Sequence, residues 1–343
     1  MADVPVTVAL LVLSQNYRGR LIPQVNRRCM ALRTLRIVPG AGQNVAFGAQ
    51  KGGAIAENYS EGADATNFGS DGEVPVLIHW GLYRAPFSVT EHARRVASTT
   101  ATPEGVENLV ANKMMASNQE LADKINKELY TGLGTGTLMA GFDVAIGDDN
   151  NSYGGIDRSD AANAFWRPKV IDPGSLTSPT FALVRRDLGQ IKDQGGESPD
   201  LAYVSTSVYN TLAGLFDDNR SFTQDITTGR GPIKLESSAK AIDIDGCMFV
   251  PDKDCPANAI YYVNTNYVEI EYLPPDPRVL AELASMGVQM LADDGYGPIP
   301  LGIVTEKLGR TGARDKYESL ATLQLKVMRP NTCGVRLNVA VAA

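Results

Sequence analysis

Histidine is the side chain most often recruited for proton transfer near neutral pH, and the sequence holds two, His79 and His92. Neither stands in an HExxH zinc pattern or in a Ser/His/Asp setting. His79 lies in Leu77-Ile78-His79-Trp80, where alternation makes it one position of a half-buried strand, and His92 falls just before a long helical segment. The four cysteines, Cys29, Cys247, Cys255 and Cys333, form no CxxC pair. They spell neither a zinc site nor a disulfide scaffold, and reduced thiols are expected. Asp148-Asp149 and Asp293-Asp294 could attract a cation but lack an EF-hand-like spacing, and solvated loop acids are the ordinary reading. Gly132-Leu133-Gly134-Thr135-Gly136 follows a helix, lacks the GxGxxG order and has no Lys-Ser/Thr behind it, so it reads as a helix C-cap and not as a phosphate loop. No cofactor and no metal is expected. An isopeptide bond from Lys51 to Asn331 or Asn338 of a neighbouring copy would need a carboxylate to take the lysine proton, and none follows Glu318. Non-covalent contacts are expected instead.

The charged residues are segregated. Residues 4–56 contain no acid but hold Arg18, Arg20, Arg27, Arg28, Arg33, Arg36 and Lys51. Residues 57–73 then carry Glu57, Glu61, Asp64, Asp71 and Glu73, with no Lys or Arg until Arg84. A single exposed ion pair contributes only about 0–1 kcal/mol, so the contrast matters as a pattern: complementary patches fix partner and register more than they add affinity. The pattern suits a chain whose segments reach across to other copies of itself. Candidate contact residues by charge are Arg27, Arg28, Arg33 and Arg36 in the basic arm and Glu57, Glu61, Asp64 and Glu73 in the acidic segment. The arm could also neutralise phosphates of bound nucleic acid, although only Tyr17 offers an aromatic face beside its arginines.

Several elements must position these residues. Residues 36–47 and 74–89 are rich in Val, Ile, Leu, Tyr and Phe and flank a Gly-, Ala- and Asn-rich stretch, which predicts a long two-stranded excursion. An isolated two-stranded ribbon is marginal in water, so it must dock elsewhere, with another subunit as the expected dock. Trp80 and Tyr83 are candidate apolar anchors there, and ordinary intramolecular strand packing is the equal alternative. Thr102-Pro103-Glu104 starts a helix predicted over 103–130, whose Val106, Leu109, Val110, Met114, Leu121, Ile125 and Leu129 form one stripe along a rod of about 40 Å. Helices over 180–192 and 206–216 among strands near 201–205, 248–251 and 259–263 predict a compact α/β insertion, and strands over 268–273 and 320–328 complete the sheet beside the long helix.

The whole chain has 343 residues, 43% hydrophobic and 21% charged, enough apolar material for one large core or two ordinary ones, which excludes a disordered chain. A net charge of −7 argues against a dedicated nucleic-acid binder. The apolar run at residues 4–13 has no basic n-region and no cleavage site, so it is not read as a signal peptide. No run of apolar residues is long enough to span a membrane. Synthesis in the cytoplasm is expected.

The string YGGIDRSDAANAFWRP at residues 153–168 resembles the tailed-bacteriophage major capsid protein family of the Hong Kong 97-type fold, in which Gly155-Ile156-Asp157-Arg158-Ser159 followed by Trp166 matches a segment between the long helix and the next domain. Ser198-Pro199-Asp200-Leu201, Gly246-Cys247-Met248-Phe249-Val250 and Cys255-Pro256-Ala257-Asn258 resemble later elements, so the resemblance spans most of the chain. It implies an α+β fold divided into an N-terminal arm (1–38), an extended loop (39–89), a peripheral domain with its spine helix (90–154), an axial domain (155–263) and the resumed peripheral domain (264–343). It implies self-assembly into hexamers and pentamers of an icosahedral shell, without enzymatic turnover and without a membrane. The implied partners are other copies of the chain, scaffold, portal and decoration proteins, and packaged double-stranded DNA held without sequence specificity. An encapsulin-like cellular nanocompartment is the alternative shell. A stand-alone hydrolase built on the α/β region would need a nucleophile and base that the two histidines hardly supply.

Overall fold

The computed structural model describes residues 29–52, 58, 61, 64, 72–100, 104–215, 225–228, 231–234, 242–274 and 303–340. Helix α1 (Met30–Thr34) leads into strands β1 (Arg36–Pro39), β2 (Val45–Gln50), β3 (Glu73–Ile78) and β4 (Gly81–Thr90). Helices α2 (Glu91–Thr100), α3 (Glu104–Thr131) and α4 (Phe142–Ala145) follow, then a 3-10 turn over Ala161–Trp166. The middle of the chain holds β5 (Lys169–Ile171), α5 (Phe181–Gly195), β6 (Leu201–Val204), α6 (Thr206–Gly214), β7 (Asp225–Thr228), β8 (Gly231–Lys234), β9 (Ile242–Ile244), β10 (Cys247–Pro251) and β11 (Ile260–Val263). The last strands are β12 (Val268–Tyr272), β13 (Val304–Thr311), β14 (Arg314–Val327) and β15 (Gly334–Arg336).

Strand β14 is the backbone of a five-stranded sheet. Along one edge it pairs antiparallel with β4 from Arg314 to Leu323, and along the other with β13 and then β12, to which β1 adds in parallel. Its odd-numbered residues Ser319, Ala321, Leu323, Leu325 and Val327 are buried, as period two requires of a sheet with one covered face. Helix α3 packs here: Ser117 Oγ donates to Ala85 O at 2.8 Å, and Leu121, Ile125 and Leu129 are buried while Leu109, Val110 and Met114, nearer its start, are only half-buried. The helix ends at Gly132, where a Cβ would lie 2.3 Å from Met139 O, so the glycine cluster makes a tight turn with Gly134 at φ +65° and not a phosphate cradle.

A six-stranded mixed sheet runs β5-β15-β11-β6-β10-β9. Its alternation splits two cores: Leu201, Tyr203, Tyr261 and Val263 face the core shared with α3 and β14, while Ala202, Val204, Ile260 and Tyr262 face α5 and α6. Thr180 and Ser205 cap those two helices through their hydroxyls, accepting from Leu183 and Val208 N–H.

Three sequence expectations differ from the structure. The two-stranded excursion is confined to β2 and β3, because β1 and β4, equally rich in strand formers, pair with β12 and β14 instead; alternation marks a strand but not its partner. The strand expected over 320–328 begins at Arg314, since its first half is charged and gains its place from pairing on both edges. Within 264–343, expected to stay beside the long helix, β15 sits inside the six-stranded sheet between β5 and β11. Residues 284–291 lie outside the described residues.

Candidate assembly surface

Tyr153, Arg158 and Trp166, all from the glycine-isoleucine-aspartate-arginine-serine string and its flanks, form one buried knot. Arg158 is fully buried, and its partners are carbonyls: Nε donates to Trp166 O (3.1 Å), Nη1 to Val144 O and Asp148 O (both 2.9 Å), and Nη2 to Ala145 O (2.6 Å). Burial pulls the guanidinium down to about 10, which leaves it charged at neutral pH. Burying such an ion costs several kcal/mol, while a hydrogen bond to a charged group contributes about 1.5–3 kcal/mol, so several partners are needed to offset the cost. Val144 and Ala145 offer carbonyls left unpaired at the end of α4, where a cation is favoured. The Tyr153 ring lies 5.1 Å from the guanidinium and stacks on Trp166, whose Nε1 donates to Tyr153 O. Tyr153 Oη accepts from Val327 N–H at 2.9 Å, tying the knot to β14.

The β2–β3 hairpin docks on this knot. Val45, Ala49, Val76 and Ile78 are buried and Leu77, pointing the other way, is exposed. Leu77 N–H donates to Gly154 O, and the Phe47 ring lies 6.2 Å from Trp166. Gly154, at φ +62°, leaves room for Val76: a Cβ there would fall 2.1 Å from Val76 Cγ1. Lys326, held between Glu269 (3.2 Å) and Glu271 (2.5 Å), places its ammonium over Phe47, and Lys51 Nζ reaches Asn163 Oδ1 at 3.3 Å. The root of the ribbon thus docks on its own chain, where a neighbour was expected to hold it.

The predicted contact residues are dispersed. Trp80 is buried over Gly40 and donates from Nε1 to Gly42 O (3.1 Å), and Tyr83 is buried with its hydroxyl on Glu128 Oε2 (2.7 Å), so both side chains serve intramolecular packing. Burial, with Glu128 beside it, raises the Tyr83 phenol well above its ordinary range. Arg33 is half-buried on α1 and Arg36 exposed on β1, while Glu61, Asp64 and Glu73 are exposed; Arg27, Arg28 and Glu57 lie outside the described residues. His79 and His92 are exposed, with His79 Nδ1 paired to Asn44 Oδ1. Asp148 accepts from the N–H groups of Asn150 and Asn151, an Asx turn. No three potential metal ligands converge among the described residues.

Sequence reasoning missed the buried polar ties. Asp187 on α5 and Arg336 on β15 are both fully buried and meet at 2.8 and 2.9 Å, with the Tyr262 hydroxyl on the same carboxylate. Burial holds the Asp187 carboxyl above its ordinary range despite the arginine. Asp252, just after β10, accepts from Ala31 N–H at the start of α1 and from Asn126 of α3, joining three segments. Partners separated by 75 to 221 residues leave no local spacing to read; only Arg158, lying within a string of recognisable order, carried a signal.

The family model described as SU10 major capsid protein matches residues 50–340. No curated protein matches the sequence. Among solved structures, a chain of the cyanophage A-1(L) capsid asymmetric unit superposes with a TM-score of 0.74 at 16% identity, covering 94% of this chain and 96% of that one. The holo-SrpI encapsulin complex from Synechococcus elongatus PCC 7942 gives 0.58 at 13% identity over 100% and 98%. The capsid of an empty GTA particle gives 0.58 at 11% identity over 94% of each chain. These superpositions establish the fold, which is the α+β Hong Kong 97-type. With a family model that spans most of its length, the chain belongs to the SU10 major capsid protein family and is the major capsid protein of a tailed phage.

Proposed function

We propose that copies of this chain close as hexamers and pentamers into the icosahedral head of a tailed phage, around double-stranded DNA held without sequence specificity. The observation that carries this is the family match over residues 50–340, together with a fold that covers nearly the whole of a cyanophage capsid chain. One fold placed in closed symmetry needs no turnover. Its contacts must exceed the roughly 1,600 Å² of a standard stable interface, summed over several neighbours. Arg36, Glu61 and Asp64, exposed on the single chain, are candidates for them with Glu73, and scaffold, portal and decoration proteins are the further partners this role calls for. The proposal places the mature protein in the virion and its synthesis in the host cytoplasm.

An encapsulin-like compartment is the second reading, favoured by the full-length superposition on the SrpI encapsulin chain, although the cyanophage chain superposes more closely. Purified particles decide between them. Nuclease-protected double-stranded DNA in particles from infected or induced cells is the expected content, and a co-purifying cargo enzyme without DNA would favour the compartment.

A further inference from the structure

The turn after β10 carries Asp252, Lys253 and Asp254, and Asp123 of α3 lies against it. One cation serves three acids there. Lys253 Nζ meets Asp123 Oδ1 at 2.9 Å and Asp254 Oδ2 at 3.9 Å, which leaves Asp252 with no ion pair among the described residues. Asp252 is only 1% exposed. Its carboxylate accepts from the N–H groups of Ala31 and Asp254 and from Asn126 Nδ2, and burial still holds the group above its ordinary value of 3.8. A buried anion is costly unless positive charge meets it.

Asn126, fully buried on α3, points its amide into the same group. Nδ2 lies 3.0 Å from Asp252 Oδ1 and 2.7 Å from Asp254 Oδ2, while Oδ1 has no hydrogen-bond partner. A buried acceptor without a donor is uncommon and needs a physical reason. As the amide stands, no three metal ligands converge. A half-turn keeps its shape and exchanges its ends, so an orphaned acceptor becomes an orphaned donor and Oδ1 moves to the corner between the two carboxylates. Oxygens from three side chains then meet. Neighbouring oxygens about 2.9 Å apart are what a Mg2+ ion with ligands at about 2.0–2.1 Å requires, and slightly wider spacings suit Ca2+. Asp254 keeps 18% of its side chain exposed, so water can reach the group and complete the shell. Oxygen donors alone select these hard ions over zinc.

We propose that Asn126, Asp252 and Asp254 bind a hard divalent cation, Mg2+ or Ca2+, which fastens the turn after β10 to α3. This departs from the sequence expectation of a chain without metal, and it is independent of the shell reading, since all three ligands belong to one subunit. Asp252 also accepts from Ala31 N–H, so the same ion steadies the seat of α1.

The test is thermal unfolding of the full-length chain in EDTA, in millimolar MgCl2 and in millimolar CaCl2, each brought to one ionic strength with NaCl so that general screening cancels. At least one divalent salt is expected to raise the melting temperature by about 3 °C or more over EDTA, and the larger rise names the ion. Asn126→Asp, which supplies a third carboxylate, is expected to melt below the parent in EDTA and to gain about twice the parental rise from the cation. Asp254→Asn is expected to lose most of the rise. A parent that gains nothing over the NaCl control overturns the proposal. An equal rise in Asp254→Asn overturns it too, because the ion would then sit elsewhere. So does an Asn126→Asp variant that melts lower by the same margin in EDTA and in both divalent salts, which would leave Asn126 as a hydrogen-bond donor to two acids and nothing more. Calorimetric titration of the parent with MgCl2 and with CaCl2 keeps the proposal testable if a variant fails to fold: one saturable site per subunit is expected, and no saturable heat with either salt overturns it.

Discussion

At the residue scale, Arg158 is a buried charge held by four backbone carbonyls. Replacing Arg158 by Met leaves four carbonyls without their common donor, and the expected loss is about 3 kcal/mol or more in urea unfolding of the unassembled subunit. Arg158→Lys should recover little, since an ammonium on a flexible stem cannot reproduce the planar fork; recovery to parental stability would show that charge alone matters there. Glu197 makes a second, milder case. Hydrogen bonding from Tyr267, with Arg329 and Asn264, holds its carboxyl below its ordinary value of 4.5. The folded state therefore binds that proton less readily than the unfolded one, so its contribution is present above pH 4.5 and lost as the pH falls through the lowered folded value. With the ion pair about 40% exposed the effect is small, under about 1 kcal/mol. Glu197→Gln should flatten the acid limb of stability against pH, and an identical limb in the variant would refute the assignment.

At the element scale, two joints decide whether the sheets and the hairpin hold together. Gly154→Ala drives a Cβ into Val76 at a left-handed backbone position, so the hairpin root should loosen and the Leu77 amide, bonded to Gly154 O, should exchange faster by at least about tenfold. Unchanged exchange would mean that the hairpin is held from elsewhere. At the second joint, Asp187→Ala leaves Arg336 buried without its charge partner and should cost about 3–5 kcal/mol, whereas Asp187→Leu with Arg336→Met should recover much of the loss. A double variant as unstable as the single would argue that the pair is indispensable. Much at this scale was legible in the sequence. The Leu121, Ile125 and Leu129 stripe, the Gly132 stop and the short apolar run of β11 are all local signals. The pairing of β1 with β12, the extension of β14 to Arg314 and the return of β15 to the six-stranded sheet were not, because partner choice is made by packing between segments far apart in sequence.

At the scale of the whole molecule, the fold and family were legible through one ordered string, and the assembly surface was not. Trp80 and Tyr83 carry the aromatic character of contact anchors, yet both are buried in their own chain, since an amphipathic strand reads the same whether its apolar face meets its own helix or a neighbour. The charge contrast between residues 4–56 and 57–73 was visible in the sequence, although most of those residues lie outside the described ones. What the described residues present is a hairpin root docked on a buried knot and two sheets joined by buried polar ties.

The central claim is that this chain builds a closed shell, and the most direct measurement is the light-scattering mass of the purified protein, with negative-stain electron microscopy of the same sample. The account predicts closed particles, or hexameric and pentameric rings, with masses that are large multiples of 36.8 kDa. A single species at the 36.8 kDa monomer mass, across every concentration and salt condition, would contradict it.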